Sequence, residues 1–562
     1  MGRQWTGIIG AVGVLWGMAC PVFAAPNPFL QQEQLQQARQ EQRKRMERLE
    51  NPGERQPEKQ EVPEAELPSS PVRFQIDRIQ MEGNIIAFPW MDRITNKYLH
   101  RELDGASISR LAGELNQQLL DRGYVTTRVL VPEQNLNGGT LRLILQAGIF
   151  HGFRNPDGTA VYGSMARAFP IHPGDVLNLR KLEQGMEQLN RLPSQKVRMN
   201  LVPAREDFAT DVELQVERKN NVYGLVSTDD SGLKSTGKSQ WNTEISWDQP
   251  LFQNDRLQLD LNGDATRSGT EKGTRGQAVS YSIPYGWDTF TFSFSRYQYH
   301  QRVHLEPFPF LSEGLTKTGK FTWDHVVYRS RTQRQSLDFS IRKRDSHSYL
   351  DHRELDIQTQ HTTAVEAGWN LRDYLGSGVL YTRLGHRMGV AWLGAQPENP
   401  YGEGPKTRYN MWLLDVDYQK PFQLGKQQAT YTASFHGQWT MKGDRLYGLD
   451  DISMGNRYTV RGFDGEYTLM GESGWYLRNE VACPVAPWGE VYVGADGGAV
   501  YGPSTDILTG RTIAGGVVGL RGTIPFGNTE LFYDVFAGIP LYKPQGYPTK
   551  SVTCGFSAGW RF

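Results

Sequence analysis

The sequence has few cysteines, no excess of charge of either sign and, beyond its N-terminus, no long hydrophobic run. Three cysteines among 562 residues are too few for a disulfide scaffold. Lys+Arg and Asp+Glu both number 61, so the whole chain has no electrostatic attraction to nucleic acid or anionic lipid. The run of roughly 18–20 apolar residues that a transmembrane helix requires is missing, which excludes a helical membrane protein. The composition is compatible with a transmembrane β-barrel, because the alternating strands of such a barrel keep the mean hydropathy of the chain low.

The N-terminus predicts a secretory signal peptide over residues 1–24. Arg3 provides a basic start, residues 7–20 are apolar and uncharged, and Val22-Phe23-Ala24 fits a cleavage site that ends at Ala24. A membrane anchor is the first alternative, but the apolar stretch is too short for one. A lipoprotein signal at Cys20 is the second alternative, and the residues before that cysteine fit it poorly. We therefore expect export from the cytoplasm.

Residues 25–50 predict a helix with a polar circumference, and residues 51–71 predict a linker. The helical segment contains strong helix formers, and its few apolar residues form a thin stripe. Such a helix cannot dock on a dry core, so it is either solvated or held in a wet cavity. A disordered tail is the alternative that composition leaves open. The Pro- and Glu-rich linker would let the helix move independently of the rest of the chain.

Residues 72–219 predict two small α/β units of the same plan. The first unit, 72–148, has apolar residues at helical spacing before two strands, and the second unit, 149–219, repeats the order. The predicted elements are a helix through Ile108, Leu111, Leu115 and Leu119, strands at 126–132 and 140–146, a second helix at 179–192, and strands at 196–203 and 210–217. These repeats resemble polypeptide-transport-associated (POTRA) domains.

Residues 220–562 alternate between apolar and polar residues and predict a mainly β fold. Phe290, Phe292 and Phe294 alternate with Thr291, Ser293 and Ser295, which places the two sets on opposite faces of a sheet. The apolar set is rich in aromatics, and the other set would suit a wet lumen. At roughly 20 residues per strand and connection, this length predicts a transmembrane barrel of about 16 antiparallel strands.

Four short motifs in this barrel region carry the resemblance to a known family. A long connection at about residues 442–473 contains Val460-Arg461-Gly462-Phe463; the strand after it carries Arg478 and Glu480, and the next strand carries Asp496 and Gly498. The last strand ends with Trp560 and Phe562. Together with the signal peptide, the polar helix and two POTRA-like units, these motifs resemble two-partner secretion outer-membrane transporters of the haemolysin and contact-dependent-inhibition toxin exporter type.

The resemblance implies roles for these residues. The long connection would fold back into the lumen and bring Arg461 against Asp496, with Arg478 and Glu480 on the lumen face. The residues alone leave another interpretation open, in which Arg461 is a solvated loop residue and Asp496 an ordinary lumen acid. Trp560 and Phe562 would be the signal that the barrel-assembly machinery recognises. The helix at 25–50 would plug the resting pore.

The resemblance also implies a function without catalysis. The chain would secrete a large TpsA-type exoprotein, a haemolysin, an adhesin or a growth-inhibition toxin, without ATP, and the sequence contains no P-loop or dinucleotide fingerprint. We expect an outer-membrane monomer in contact with lipid, with periplasmic POTRA domains that bind the exoprotein. We expect no enzyme activity, cofactor, metal or nucleic acid.

Three other functions stay as alternatives at this point. A barrel-assembly insertase of the same superfamily usually carries more POTRA units and lacks the helix, and a passive porin has no need of periplasmic domains. A structural or adhesive β-protein would not need the terminal aromatic strand. Other residues that could carry catalysis or ligand binding show no convincing motif. His347 and His352 are expected in a charged loop, and Arg342-Lys343-Arg344 is expected to be a lumen or loop patch.

Overall fold

The computed structural model describes residues 28–50, 72–266, 269–304, 308–398, 404–441 and 443–562. The expected signal peptide (1–24), the first residues of the expected helical segment (25–27) and the expected linker (51–71) therefore lie outside the described residues. Helix α1 covers Pro28–Glu50. Among the described residues, no helix combines the length and the apolarity that a membrane crossing demands.

The first α/β unit packs one long helix on a three-stranded sheet. Its buried apolar residues include the periodic set that the sequence singled out, Ile108, Leu111, Leu115 and Leu119. Sheet order is β2-β5-β4, and β1 pairs with β3 in a second small sheet. The elements are β1 (Phe74–Ile76), β2 (Arg78–Gly83), α2 (Asp92–Thr95), β3 (Arg101–Leu103), α3 (Gly105–Asp121), β4 (Arg128–Leu130) and β5 (Thr140–Gln146).

The second unit repeats this arrangement around a separate core. Sheet order is β6-β8-β7, and Phe150, Leu182 and Leu189 are fully buried between the sheet and the longer helix. The elements are β6 (Ile149–Arg154), α4 (Ser164–Arg167), α5 (Leu179–Asn190), β7 (Gln195–Pro203) and β8 (Ala209–Arg218).

In both units an asparagine on the long helix caps the edge strand beside it. The amide of Asn116 donates to the Val129 carbonyl at 2.9 Å, and the Val129 N–H donates to Asn116 at 2.8 Å. Asn190 and Val197 form the same two bonds at 3.1 and 2.7 Å. Each asparagine thus replaces one residue of a missing neighbouring strand and limits where another chain can pair with that edge.

The rest of the chain forms a closed antiparallel barrel of 16 strands, as the sequence predicts. Short β16 extends one connection, β21 and β22 pair with each other in another, and all other strands from β9 to β27 make the wall. In chain order the strands are β9 (Val222–Asp229), β10 (Gln240–Asp248), β11 (Arg256–Asp264), β12 (Lys272–Tyr285), β13 (Asp288–Val303), β14 (Phe310–Arg329), β15 (Gln333–Leu350), β16 (Arg353–Glu354), β17 (Gln360–Leu375), β18 (Gly378–Val390), β19 (Asn410–Leu424), β20 (Gln427–Thr440), β21 (Ile452–Met454), β22 (Leu469–Gly471), β23 (Ser473–Ala486), β24 (Gly489–Tyr501), β25 (Thr512–Phe526), β26 (Thr529–Tyr542) and β27 (Thr553–Arg561).

The wall has an apolar outside and a polar inside. Phe292 and Phe294 are 52% and 50% exposed, whereas Asp417 and Ser346 are buried within the lumen. Large exposed apolar side chains recur on most wall strands, which is the pattern of a lipid-facing surface and not of a soluble core.

The chain closes the barrel at its own last residue. Strand β27 pairs with β9, and Phe562 exchanges two backbone hydrogen bonds with Gly224, at 2.9 and 3.0 Å. The Trp560 ring lies 5.5 Å from the Phe562 ring and is 45% exposed on the outer face. The terminal aromatic strand therefore forms half of the seam at which the barrel closes.

The second α/β unit is fastened to one end of the barrel by a charged cluster on α5. Glu187 accepts a hydrogen bond from Arg329 at 2.5 Å and from Arg372 at 2.8 Å, and Arg334 lies 3.4 Å away. Burial alone would raise the pKa of Glu187, but these three guanidinium groups outweigh it and hold the pKa well below its ordinary value of 4.5. The carboxylate is therefore charged across the whole physiological range.

We predict that Glu187→Gln loosens this junction. The change leaves three arginines without their shared anion, which costs about 3–5 kcal/mol when the groups are buried. With spin labels on α5 and on the nearest barrel turn, pulsed electron paramagnetic resonance should show a broader distribution of label-to-label distances than in the unsubstituted chain. Glu114→Gln, at an exposed Lys97 pair in the first unit, is the matched control. An unchanged distribution in Glu187→Gln would contradict the clamp.

The contribution of Glu187 to the junction should also be insensitive to pH in the neutral range; Glu183, which lies 3.6 Å from Arg329 and whose pKa burial raises, is replaced by glutamine in this test. A carboxylate with a depressed pKa stabilises the folded arrangement above its ordinary pKa of 4.5, and loses that contribution only as pH falls through the depressed value. The label distances should therefore not change between about pH 5 and about pH 8.

Candidate functional site

Helix α1 lies inside the barrel and is surrounded by the wall. Its glutamines at positions 31, 32, 34 and 36 are buried, and polar groups meet them. Thr236 on one side donates to Gln32 at 3.0 Å, Thr316 donates to Glu33 at 2.6 Å, and Tyr381 donates to the Arg48 carbonyl at 2.9 Å. The polar circumference that the sequence predicts is thus matched by a polar lumen.

The second half of α1 is held by arginine–carboxylate pairs on opposite walls. Toward β9–β11, Arg39 meets Asp229 at 3.0 Å, and Arg43 meets Asp260 at 2.8 Å and also Glu244. Toward β19, Arg45 meets Asp417 at 2.9 Å and Asp415 at 3.9 Å, and Arg48 meets Asp417 at 3.2 Å. We call these five wall residues the carboxylate seat: Asp229, Glu244, Asp260, Asp415 and Asp417.

The helix does not fill the lumen. A cavity of about 510 Å³ lies between α1 and the wall near Asp415 and His436, and another of about 490 Å³ lies on the side of Asp229 and Arg521. Both are large enough for water, and charged side chains line both. The second half of α1 therefore contacts the barrel mainly through ion pairs beside wet cavities, whereas its first half contacts it through buried hydrogen bonds and through Leu30, which packs on Tyr299 and Leu449.

The connection between β20 and β23 folds back into the barrel at the end opposite the α/β units. Its β21–β22 hairpin forms a buried apolar cluster with the wall, and Val460 and Phe463 belong to that cluster. Gln31 and Gln34 of α1 donate to the carbonyls of Gly465 and Gly448 in the connection, at 2.8 and 2.6 Å. The inner connection and the helix therefore close the lumen together.

Arg461 of this connection is clamped on the wall by Asp496. Its Nε donates to one carboxylate oxygen at 2.7 Å and a terminal nitrogen donates to the other at 2.9 Å, which is a bidentate pair. The Arg461 backbone N–H also donates to Asp496 at 3.0 Å, and Glu480 accepts from the guanidinium. Because the Asp496 side chain is fully buried, its charge is stabilised chiefly by this arginine.

The other motif residues predicted from the sequence surround this pair. Glu480 bonds Arg521 as well, at 2.7 Å. Arg478 does not join the cluster; it donates to Gln42 of α1 and to the Tyr458 carbonyl, each at 2.9 Å, and so links the helix to the connection. The sequence predicts its lumen orientation but not this link.

Glycines leave the space that the connection occupies. A Cβ on Gly494 would lie 2.5 Å from the Arg461 guanidinium, and one on Gly498 would lie 2.7 Å from the Met454 sulfur. Gly462 has φ +95°, and its Cβ would lie 2.4 Å from the Ile539 carbonyl oxygen. A side chain at any of these three positions would push the connection away from the wall.

A second charged anchor, which the sequence analysis missed, holds the start of the same connection. Buried Asp450 meets Arg344 at 2.5 Å and Arg342 at 2.8 Å on β15. Arg342 and Arg344 of the basic run thus face the lumen, whereas Lys343 between them lies on the other face of β15. His347 was expected in a loop, but it lies on β15, because the strand continues as far as Leu350.

Comparisons with known proteins agree with this architecture. The model of the family described as "Haemolysin secretion/activation protein ShlB/FhaC/HecB" matches residues 209–522, and two POTRA models match 74–148 and 149–203. An outer membrane transporter, CdiB-2 of Burkholderia pseudomallei, is 36% identical over 96% of this chain and 95% of its own. CdiB of Dickeya dadantii is 30% identical over 84% of this chain and 83% of its own.

A solved structure supports the same assignment. CdiB from Escherichia coli superimposes with a TM-score of 0.84 at 26% identity, and the match covers 96% of this chain and all of that one. Because the match covers 96% of this chain, the superposition includes both the barrel and the two POTRA units. The chain belongs to the haemolysin secretion/activation protein family, the outer-membrane transporters of two-partner secretion.

Proposed function

We propose that this transporter secretes one large TpsA-type exoprotein through its barrel lumen, with the POTRA units in the periplasm capturing the cargo and a single chain forming the pore. The observation that carries the proposal is that the second half of α1 is attached to the lumen wall through arginine–carboxylate pairs beside wet cavities. A helix held in this way can leave without exposing a large apolar core. A porin has no need of such a helix, and the 36% identity with CdiB-2 favours a toxin of the contact-dependent-inhibition type as cargo.

The division of the chain follows from this proposal. Residues 1–24 direct export, 25–50 plug the resting pore, and 51–71 tether the plug. Residues 72–148 and 149–219 are the POTRA domains, and 220–562 form the barrel. Trp560 and Phe562 at the seam serve as the signal for barrel assembly, because the last strand must be recognised before the barrel can close.

The second POTRA domain offers an edge for the cargo. Within the described residues β7 pairs with β8 alone, and Asn190 caps its other side only at Val197. The edge beyond Val197, up to Pro203, can accept an extended segment by backbone hydrogen bonding. Asn190 would then fix where the added strand starts.

Release of the exoprotein tests the function. A large exoprotein from the same genome, whose gene is sought first beside the gene for this chain, is expressed with or without the transporter, and the exoprotein is assayed in medium, periplasm and cells. We expect release only with the transporter. Exoprotein that stays in the periplasm when the transporter is present would overturn the proposal.

The same strains separate the alternatives. Loss of the transporter should leave the amounts of other outer-membrane barrels unchanged, since an insertase would affect them. It should also leave the uptake of small solutes unchanged, since a porin would affect that.

A further inference from the structure

We propose that the carboxylate seat is a binding site for a basic, extended segment of the cargo, which takes the place of the α1 arginines when the helix leaves. This inference rests on the proposed function, because it assumes that cargo passes through the lumen. The inference adds the chemistry of the cargo segment that binds the seat. That segment carries arginine or lysine side chains and enters the lumen from the end of the barrel that faces the POTRA domains.

The seat is built to hold cations. Glu244 and Asp260 are direct cross-strand partners on β10 and β11, and like charges in that position repel each other. Arg43 lies between them and removes the repulsion. On the opposite wall, Asp415 and Asp417 stand two residues apart on one face of β19, and Arg45 contacts both. Each pair of carboxylates therefore already holds a guanidinium in this structure.

Among the described residues no wall arginine forms an ion pair with a seat carboxylate, although Arg256, Arg383 and Arg457 lie near Glu244, Asp415 and Asp229 and weaken their negative charge in part. His436 bonds Asp415 at 2.7 Å, Asn242 bonds Asp229 at 3.1 Å, and Gln258 bonds Asp260 at 3.2 Å. Two of these three donors are neutral amides. The Asp417 side chain is 1% exposed and meets Arg45 and Arg48, both on the helix. A vacated seat is thus a lumen region with negative charge on two facing walls.

An extended chain can satisfy the seat with few residues. From Arg39 to Arg48 the helix rises about 13 Å at 1.5 Å per residue. A strand covers the same distance with about four residues, and its successive side chains point in opposite directions. Two adjacent basic residues would therefore reach both walls at once. A short basic stretch of cargo can compete with α1 for the same carboxylates.

Current block in planar bilayers tests the site on the full-length chain. The fourfold variant R39Q/R43Q/R45Q/R48Q leaves every carboxylate in place and removes their cations, so we expect it to conduct more than the unsubstituted chain. The probe is a nine-residue peptide of adjacent arginine pairs separated by single serines, so that each pair presents one arginine to each wall, and citrulline and glutamate versions are its neutral and acidic controls. We expect the arginine peptide to block at a concentration about ten-fold lower than the citrulline peptide.

A second variant shows whether the seat itself binds the peptide. Adding E244Q, D260N and D417N to the fourfold variant removes three of the five seat carboxylates, and should raise the blocking concentration of the arginine peptide about ten-fold and weaken its dependence on salt. Heat-modifiable mobility on gels confirms that both variants are folded. Equal block of both variants, or equal block by all three peptides, would overturn the proposal. A fourfold variant that stays closed would overturn it too, since the arginines would then not hold α1.

The outcome is separable from that of the function itself. If the exoprotein is not released while the block of the channel still depends on peptide charge, the proposed transport function is contradicted and the binding role of the carboxylate seat is supported. If the exoprotein is released while the three peptides block the channel equally, only the binding role of the carboxylate seat is contradicted.

Discussion

Secretion of the exoprotein should be lost in Arg461→Ala, although the barrel should still assemble in the outer membrane. The substitution leaves Asp496 buried and unpaired and removes a partner of Glu480. Breaking a buried pair in this way costs about 3–5 kcal/mol, which lowers the ratio of docked to released connection at least about a hundred-fold. We expect exoprotein in the medium to fall below about one tenth of its normal amount. Immunoblots of the medium measure the release, and heat-modifiable mobility measures barrel folding.

Matched variants separate the geometry of this pair from its charge. Arg461→Lys keeps the positive charge but cannot form the bidentate contact, so we expect intermediate release. Arg511→Ala removes an arginine from an exposed pair with Asp506 and should secrete normally. The double variant Asp496→Asn/Arg461→Ala should release about as little exoprotein as either single variant, because both substitutions break the same interaction. Normal release from Arg461→Ala would refute the role of the pair.

The wall of the barrel could be predicted because its signal is local. The alternation of apolar and polar residues at Phe290–Ser295 assigns each side chain to one of the two faces of the sheet. In the structure the apolar face is exposed, as expected of a surface that contacts lipid. The helices of the POTRA units were predictable for the same reason, since Ile108, Leu111 and their periodic partners define one buried stripe. The strand number followed from length alone.

The ion pairs inside the lumen could not be predicted in the same way. Asp450 meets Arg344 across 106 positions, and Glu187 meets Arg372 across 185. Such partners depend on which strands lie opposite each other after closure, and alternation says nothing of that. The pairing of Arg461 with Asp496 is predicted from the family resemblance, since the residues alone leave a solvated arginine open. The arginines of α1 predict a helix with a polar surface, but the sequence does not indicate which wall carboxylates they contact.

Deleting residues 26–50 should convert a nearly closed channel into an open one. A helix with side chains is about 10–12 Å wide, and a barrel of this strand number otherwise encloses an aqueous channel, so we expect single-channel conductance in planar bilayers to rise several-fold. The rise follows from the location of α1 between facing walls, where Arg39 and Arg45 bridge to Asp229 and Asp417.

The matched control for this deletion is Gln40→Ala. That glutamine is exposed on α1, so its change should leave the conductance as it is. High salt should open the unsubstituted channel more often but should not affect the deleted one, because salt screens ion pairs that only the intact chain possesses. Equal conductance of the intact and shortened chains would mean that the inner connection alone closes the pore. In that event Arg461→Ala, and not removal of the helix, should produce the open channel.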